Sequence, residues 1–159
     1  MAQRSVLSTL SILIITLMIS ACSRQALYDN AIGWERSSAG LEESSITVGE
    51  MTIAYLSNAE PVDGDTIVLV HGFGANKDNW TRLARQLTDE FNVYAIDLPG
   101  HGQTPCDLDT FDDVCDHIIE TVASLNCTDV VLVGYSMGGR LALNSVLRSP
   151  QSFRMLVLE

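Results

Sequence analysis

The chain has 159 residues, of which 47% are hydrophobic, and it carries a formal net charge of −11. This length suits one domain with a hydrophobic core, and the apolar fraction argues against a disordered chain. A strongly acidic protein repels phosphate backbones, so the charge also argues against nucleic acid as a partner.

The amino-terminal residues have the pattern of an export signal. A short basic head, residues 1–4, precedes an apolar run, residues 6–19, that is too short to span a bilayer comfortably. The run ends in Ile-Ser-Ala-Cys, and this ending resembles the lipobox of bacterial lipoproteins, whose cysteine is diacylated before cleavage. The alternative is an ordinary signal peptide in which the cysteine is coincidental.

The lipobox resemblance implies a signal peptide over residues 1–21 and a mature chain that begins at a lipidated Cys22. Two or three acyl chains would give stable anchoring where one would not. Ser23 after the cysteine favours the outer membrane over the inner one. We therefore expect a lipid-anchored protein of the bacterial cell envelope, with the membrane as a partner.

Residues 22–44 are predicted to form an anchor and linker segment, with a helix around residues 25–36. Residues 45–50 and 51–57 alternate apolar and polar side chains, as half-buried strands do. Residues 66–70 are a continuous, largely β-branched run, which is typical of a strand buried on both faces.

Helical and strand patterns then alternate to the end of the sequence. Helices are predicted over residues 79–90, 110–125 and 137–147, and strands over residues 91–98, 130–133 and 153–158. Thr110 is a plausible N-cap for the second of these helices, because Asp112 and Asp113 follow in its first turn. This alternation predicts an α/β domain over residues 45–159, with a mostly parallel sheet and helices on both faces.

Three cysteines remain besides Cys22, and an odd number leaves two alternatives open. Cys106 and Cys115 could form a disulfide with Cys127 left free, or the cysteines could be buried free thiols. No pair of metal ligands stands at a recognisable spacing, so no metal site is predicted.

The stretch Val-Gly-Tyr-Ser-Met-Gly-Gly places Ser136 between a predicted strand and a predicted helix. This is the setting of a nucleophile elbow, in which a sharp turn exposes the serine hydroxyl. Gly134 and Gly138 leave room for the close approach of strand and helix that such a turn needs. The alternative is a glycine-rich turn whose serine caps the helix.

A second turn, His71-Gly72-Phe73-Gly74, follows the buried strand at residues 66–70. Parallel strands end at the same edge of a sheet, so the N–H groups of Phe73 and Met137 can converge on one carbonyl oxygen. These two residues are the predicted oxyanion hole. His71 is predicted to be structural, because it precedes that turn.

From Ser45 to Glu159 the chain resembles the amino-terminal part of an α/β-hydrolase. The resemblance is carried, in the family's order, by the stretches VLVHGFGANKDNW, VYAIDLPGHG and VVLVGYSMGGRLAL. It implies a serine ester hydrolase of the lipase or esterase type, with an acyl-enzyme at Ser136, a small-molecule or lipid ester as substrate, and no metal or organic cofactor. His101 in the second stretch is predicted to be structural.

Two other functions stay open. The stretch GYSMGGRLAL also resembles a menaquinone-pathway synthase, a lyase that eliminates pyruvate and in which the arginine after the elbow helps to hold an anionic substrate. The export signal argues against it, and a solvated helix position is the simpler interpretation of Arg140. The third alternative is a non-catalytic, hydrolase-like lipoprotein that binds ligands.

The α/β-hydrolase family has eight strands and a triad in the order Ser, acid, His, whereas six strands are predicted here. All three histidines, His71, His101 and His117, precede Ser136 in the chain, and His117 has the pattern of a helix-surface residue. We therefore expect a fold truncated after about the sixth strand, with the His and the acid beyond Glu159 and little hydrolysis by this chain. In the minority arrangement, Glu159 itself is the acid.

Overall fold

The computed structural model describes residues 24–106, 110–127 and 129–159. The chain divides into two units, residues 1–35 and 36–159. Helix α1 covers residues 24–38, where the sequence predicts a helix. The predicted signal peptide and lipidation site, residues 1–21 and Cys22, lie outside the described residues. Within the described ranges, no helix is long and apolar enough to cross a membrane.

Six strands form one sheet in the order β1-β2-β4-β3-β5-β6. Their bounds are β1 Leu41–Val48, β2 Met51–Asn58, β3 Thr66–Val70, β4 Asn92–Ile96, β5 Val131–Gly134 and β6 Met155–Leu158. β2 pairs antiparallel with β1 and with β4, and all other pairings are parallel. The predicted mostly parallel sheet is therefore confirmed.

The first hairpin begins earlier than the sequence predicts. β1 starts at Leu41, which is buried, rather than at Ser45. The turn to β2 contains Gly49 at φ +60°, a left-handed conformation that glycine adopts without the steric cost of a Cβ. The alternation of apolar and polar residues therefore predicts the two paired strands, but it does not predict the residue at which the first strand begins.

Helices cover both faces of the sheet. Successive residues of β3 point to opposite faces, so that Val68 and Val70 pack in one hydrophobic cluster and Leu69 packs in the other. The helices α3 Phe111–Ser124 and α4 Met137–Arg148 contribute to the first cluster. The short helix α2 Thr81–Ala84 contributes to the second.

The amino terminus of α3 is capped as predicted. The Thr110 hydroxyl accepts a hydrogen bond from the Asp113 N–H at 3.2 Å, and the Asp113 carboxylate accepts one from the Thr110 N–H at 3.0 Å. This reciprocal pair satisfies two backbone donors that have no partner inside the helix.

The helix predicted over residues 79–90 is wrong in extent. A 3-10 turn, Lys77–Trp80, leads into α2, which ends at Ala84, and residues 85–90 are consecutive turns. The side-chain amide of Asn58 donates to the carbonyl oxygens of Thr88 and Phe91. These tertiary bonds hold the end of the segment against β2, and helical periodicity alone does not reveal them.

Three cysteines lie within the described residues, and all three are free thiols. Cys106 is exposed, Cys115 is buried in α3, and Cys127 is half-buried. The two alternatives were a disulfide between Cys106 and Cys115 or free thiols, and the structure has free thiols. Burial raises the pKa of the Cys115 thiol, so it packs as a small apolar group.

Candidate active site

Ser136 stands at a strained turn between β5 and α4. Its backbone has φ +52° and ψ −117°, a conformation that residues with a Cβ rarely adopt. The side chain is exposed and makes no capping bond to α4, which argues against a serine that merely caps the helix. The Ser136 N–H donates to the Glu159 carbonyl at 2.9 Å, so the turn is tied to the end of β6.

Two glycines allow the helix to begin directly beside the strands. A Cβ on Gly134 would come closer than 3.0 Å to the Gly138 carbonyl oxygen. A Cβ on Gly138 would come equally close to the carbonyl oxygens of Val70 and His71. Backbone atoms cannot yield as side chains do, so both positions need glycine, as the sequence predicts for the elbow.

The turn after β3 lies against the elbow. A Cβ on Gly72 would stand 3.3 Å from the Ser136 Cβ and 3.1 Å from the Tyr135 ring. Within the described residues, no backbone hydrogen bond outside the helices and strands involves the N–H group of Phe73 or of Met137. Met137 is the first residue of α4, where N–H groups have no helical partner and the helix dipole favours negative charge. The predicted oxyanion donors are thus unpaired and lie on two adjacent turns.

His71 uses both ring nitrogens to hold this turn in place. The Leu98 N–H donates to Nε2 at 3.1 Å, so the ring proton is on Nδ1, which lies 2.8 Å from the Gly72 carbonyl oxygen. Burial lowers the pKa of His71 below its ordinary value of 6.5, which favours the neutral ring. A histidine with both ring nitrogens bonded inside the protein has a structural role, and this is the role that the sequence predicts for His71.

Next to His71, a buried ion pair joins the loops that follow β3 and β4. The Lys77 ammonium lies 2.9 Å from an Asp97 carboxylate oxygen, and the two side chains are 2% and 0% exposed. Asp97 also accepts from the Lys77 N–H at 2.7 Å and from the Gln103 N–H at 2.9 Å. A buried carboxylate with three donors is well compensated, and it fixes both loops at one point.

Further charges extend this ion pair towards the protein surface. The carboxylate of Glu43 lies 3.0 Å from the Lys77 ammonium and 2.6 Å from the Arg36 guanidinium. Arg36 also donates to both oxygens of Asp78, and this hydrogen bonding raises the arginine pKa. Sequence reasoning missed this network, because nothing in the pattern says which of many charged residues is buried.

A cavity of about 260 Å³ opens beside the elbow, with His71, Gly72, Trp80, Tyr135 and Glu159 among its walls. It lies at the carboxyl edge of the parallel strands, where α/β sheets place their sites. Tyr135 of the elbow lines the cavity, and its volume is enough for a small acyl or alcohol group.

No described histidine forms a hydrogen bond with the Ser136 hydroxyl. His71 has both nitrogens engaged, and His101 Nδ1 lies 3.1 Å from the Pro99 carbonyl oxygen. The prediction that His117 lies on the helix surface is wrong: it is 7% exposed, because it falls on the face of α3 that packs inward. Its Nε2 atom has no hydrogen-bond partner within the described residues.

Arg140 is exposed on α4, but it is not simply solvated. Its guanidinium carbon lies 5.1 Å from the centre of the Phe111 ring, which is a cation–π contact. Among the residues that the structure describes, no group of His, Cys, Asp and Glu side chains could hold a metal ion.

The elbow, the adjacent turn and the sheet order can be compared with known proteins. The family model for the alpha/beta hydrolase fold matches residues 65–159, more than half of the sequence. The chain belongs to the α/β-hydrolase family. This confirms the fold class that the three sequence motifs predict.

Two solved structures of this family are similar to the chain at 30% identity or more. A putative lipase of Acinetobacter baumannii is 30% identical and has a TM-score of 0.77; the match covers 82% of this chain and 45% of the lipase. A membrane phospholipase A that is a bacterial virulence factor is 32% identical with a TM-score of 0.83; the match covers 98% of this chain and 51% of the phospholipase.

Curated relatives carry a different name. The 2-succinyl-6-hydroxy-2,4-cyclohexadiene-1-carboxylate synthase of Citrobacter koseri is 38% identical over 94 residues, or 58% of this chain. The synthase of Escherichia coli K12 is 41% identical over 78 residues. The matches span 37% and 31% of the lengths of these two synthases, well below two thirds of either.

Proposed function

We propose that the protein is a carboxylic ester hydrolase that forms an acyl-enzyme at Ser136. The observation that carries the proposal is the elbow: an exposed serine at positive φ, without a capping bond, beside the unpaired N–H of Met137. A serine used only for structure has no reason to hold a strained backbone there. The lipase and phospholipase structures support an ester as the substrate class.

The proposed reaction has two halves. The Ser136 oxygen adds to the ester carbonyl, a base takes the hydroxyl proton, and the N–H groups of Phe73 and Met137 stabilise the oxyanion. Collapse of this intermediate releases the alcohol, which receives the proton, and leaves an acyl-serine. Water then attacks the acyl-serine by the same route and releases the acid. None of the three described histidines is hydrogen-bonded to Ser136, so we expect another group to act as the base.

The decisive experiment uses the protein expressed from its complete reading frame. We expect turnover of a p-nitrophenyl ester with a short or medium acyl chain, and stoichiometric labelling by a fluorophosphonate. Ser136→Ala removes the nucleophile, so turnover should fall by a factor of about 1,000 or more. Ser44→Ala changes an exposed serine of β1 and is the matched control. Ester turnover that survives Ser136→Ala would overturn the proposal.

A second candidate rests on the curated relatives, because their name describes a synthase. In such a lyase Arg140 would hold an anionic substrate, whereas here its guanidinium stacks on Phe111. Pyruvate release from the synthase substrate, lost in Arg140→Ala and without any ester turnover, would favour this candidate. If neither reaction occurs, the protein is a hydrolase-like binding protein.

We also propose that Cys22 is lipidated and anchors the protein at the outer membrane of the bacterial cell envelope. The apolar run before the cysteine and the two small residues that precede it support this. The similarity to the structure of a membrane phospholipase A gives further support. Labelling with a radioactive or alkyne-bearing fatty acid should mark the wild type and not Cys22→Ala. Equal labelling of both would contradict the anchor.

A further inference from the structure

Helix α1 exposes three large apolar side chains near the amino terminus. Leu27, Tyr28 and Trp34 are 70%, 62% and 73% exposed. Single exposed apolar residues are ordinary, but three large ones within two helical turns are a concentration of apolar surface. A concentration of this kind marks a site of contact with a partner or a membrane.

The exposed side chains share one face of the helix. Leu27, Ala31 and Trp34 are spaced by four and three residues, which places them in one row, and Tyr28 lies beside this row. Gln25 and Asp29 form a hydrogen-bonded pair of 2.8 Å on another face. The helix therefore has a polar face and an aromatic and aliphatic face, with Arg24 and Glu35 at the two ends of the latter.

The sequence places this face beside the predicted lipid anchor. Leu27 is the fifth residue after Cys22, and an extended chain spans at most about 3.5 Å per residue, so Leu27 lies within about 17 Å of the anchor. Acyl chains at Cys22 would hold the start of α1 at the depth of the lipid headgroups. Tyr and Trp favour this depth, because their rings are apolar and their O–H or N–H group is polar.

The charges of α1 determine how it would bind. Arg24 is its one basic residue within residues 24–35, against Asp29 and Glu35, and the whole chain has a net charge of −11. Attraction to anionic lipids therefore contributes little, and the contact depends on apolar burial.

We propose that α1 lies in the interface of a lipid membrane, with Leu27, Tyr28 and Trp34 inserted among the lipids. The occupant of this face is the membrane itself, and the inference rests on the lipid anchor proposed at Cys22. It goes beyond anchoring, because it gives the helix a fixed face towards the bilayer. It is independent of the reaction at Ser136.

Trp34 provides the test. The chain has two tryptophans, and Trp80 is buried, so the difference in emission between the wild type and Trp34→Phe isolates Trp34. The mature protein from its complete reading frame is reconstituted in phosphatidylcholine vesicles with brominated acyl chains, which quench tryptophans that contact them. We expect Trp34 to be quenched by the bromines and shielded from aqueous iodide. Adding phosphatidylglycerol or salt should change neither result.

Variants determine whether the face itself is responsible. Leu27→Gln with Tyr28→Gln removes apolar contacts, so the partition of the helix into the bilayer should weaken by about 100-fold and Trp34 should become open to iodide. Gln25→Ala alters the polar face and should leave the quenching unchanged. Both variants should keep full turnover of a soluble ester. The result for membrane contact of α1 is therefore independent of the result for ester hydrolysis at Ser136.

Two results would overturn the proposal. One is free access of iodide to Trp34 in the vesicle-bound protein, which would place α1 in water. The other is shielding of Trp34 without quenching by brominated lipid, growing with the protein-to-lipid ratio, which would mean that a second copy covers the face.

Discussion

The carboxyl edge of the sheet and the α3–α4 helix pair differ in the bonding of their buried histidines and in the burial of their ion pairs. At the edge, the buried Asp97 carboxylate has three donors, and each nitrogen of His71 has a partner. In the helix pair, His117 Nε2 is buried without a partner within the described residues. The ion pair between Arg148 and Asp116, at 2.5 Å, is largely exposed.

This difference shows where geometry is determined by polar contacts and where it is determined by packing. Loops have no ladder of backbone hydrogen bonds, so buried side-chain bonds must fix their position. Two helices already satisfy their backbones, and this pair is held together by apolar area beside one buried bond, from the Ser145 hydroxyl to the Cys115 carbonyl oxygen. Substitutions in the two regions test this difference between polar contacts and packing, from the largest expected effect to the smallest.

Asp97→Asn should have the largest effect on stability. It leaves the Lys77 ammonium buried, with Glu43 as its remaining close carboxylate partner. Breaking a buried pair by removing one charge costs about 3–5 kcal/mol of unfolding free energy. Urea unfolding of the protein from its complete reading frame measures this loss.

The matched control is Asp116→Asn, which breaks the exposed pair with Arg148 in the helix layer. We expect its unfolding midpoint to be unchanged within error, because solvent screens that pair. Equal losses for the two variants would mean that burial does not distinguish the two regions.

Gly138→Ala should have the next largest effect. The added Cβ would come closer than 3.0 Å to the carbonyl oxygens of Val70 and His71. Relieving this overlap requires a backbone shift that costs about 1–3 kcal/mol, and the shift would displace α4 from the turn at Gly72. Ester turnover should therefore fall more steeply than stability.

Gly33→Ala is the control for this variant. Gly33 lies in α1, and a Cβ there meets no atom within 4 Å. Alanine should stabilise that helix by up to about 1 kcal/mol and leave turnover unchanged. If Gly138→Ala retains full activity, the tight approach at the elbow is not needed for function.

The sequence predicts the parts of this site that depend on local pattern. Strand, turn and helix around Ser136 are adjacent in the chain, so hydrophobic periodicity and glycine spacing are enough to predict them. The same is true of the Thr110 cap, whose two partners are three residues apart. The family motifs add the order of the sheet.

Contacts between distant segments could not be predicted in this way. Lys77 and Asp97 are twenty residues apart in the chain, and either of them alone has the appearance of a surface charge. The sequence predicts a surface position for His117, because one titratable residue does not reveal which face of α3 packs inward. The one available signal is its helical spacing from the half-buried Val114, three residues before it, and from the buried Thr121, four residues after it.

Acidic pH should destabilise both regions. Burial lowers the pKa of His71 and of His117 below the ordinary value of 6.5 in the folded protein. The unfolded chain therefore binds more protons below that pH, so the stabilisation is complete above about pH 6.5 and is lost as the pH falls. Unfolding free energies measured between about pH 7.5 and pH 5 should fall in that direction. A flat profile would contradict the burial of the two neutral rings.

His117→Leu should give the smallest change and the sharpest contrast. Leucine has a similar volume and removes a buried nitrogen that lacks a partner. We expect the unfolding free energy at neutral pH to rise by up to about 1 kcal/mol, because no hydrogen bond is lost and a desolvation cost disappears. The decline in unfolding free energy towards acidic pH should also become shallower, since one of the two histidines with a lowered pKa is gone.

The corresponding His71→Leu leaves the Leu98 N–H and the Gly72 carbonyl without their partners and should destabilise the fold instead. Opposite signs for these two variants would show that a buried histidine stabilises the fold only where its nitrogens are bonded, and matching signs would remove the distinction between the loop edge and the helix pair.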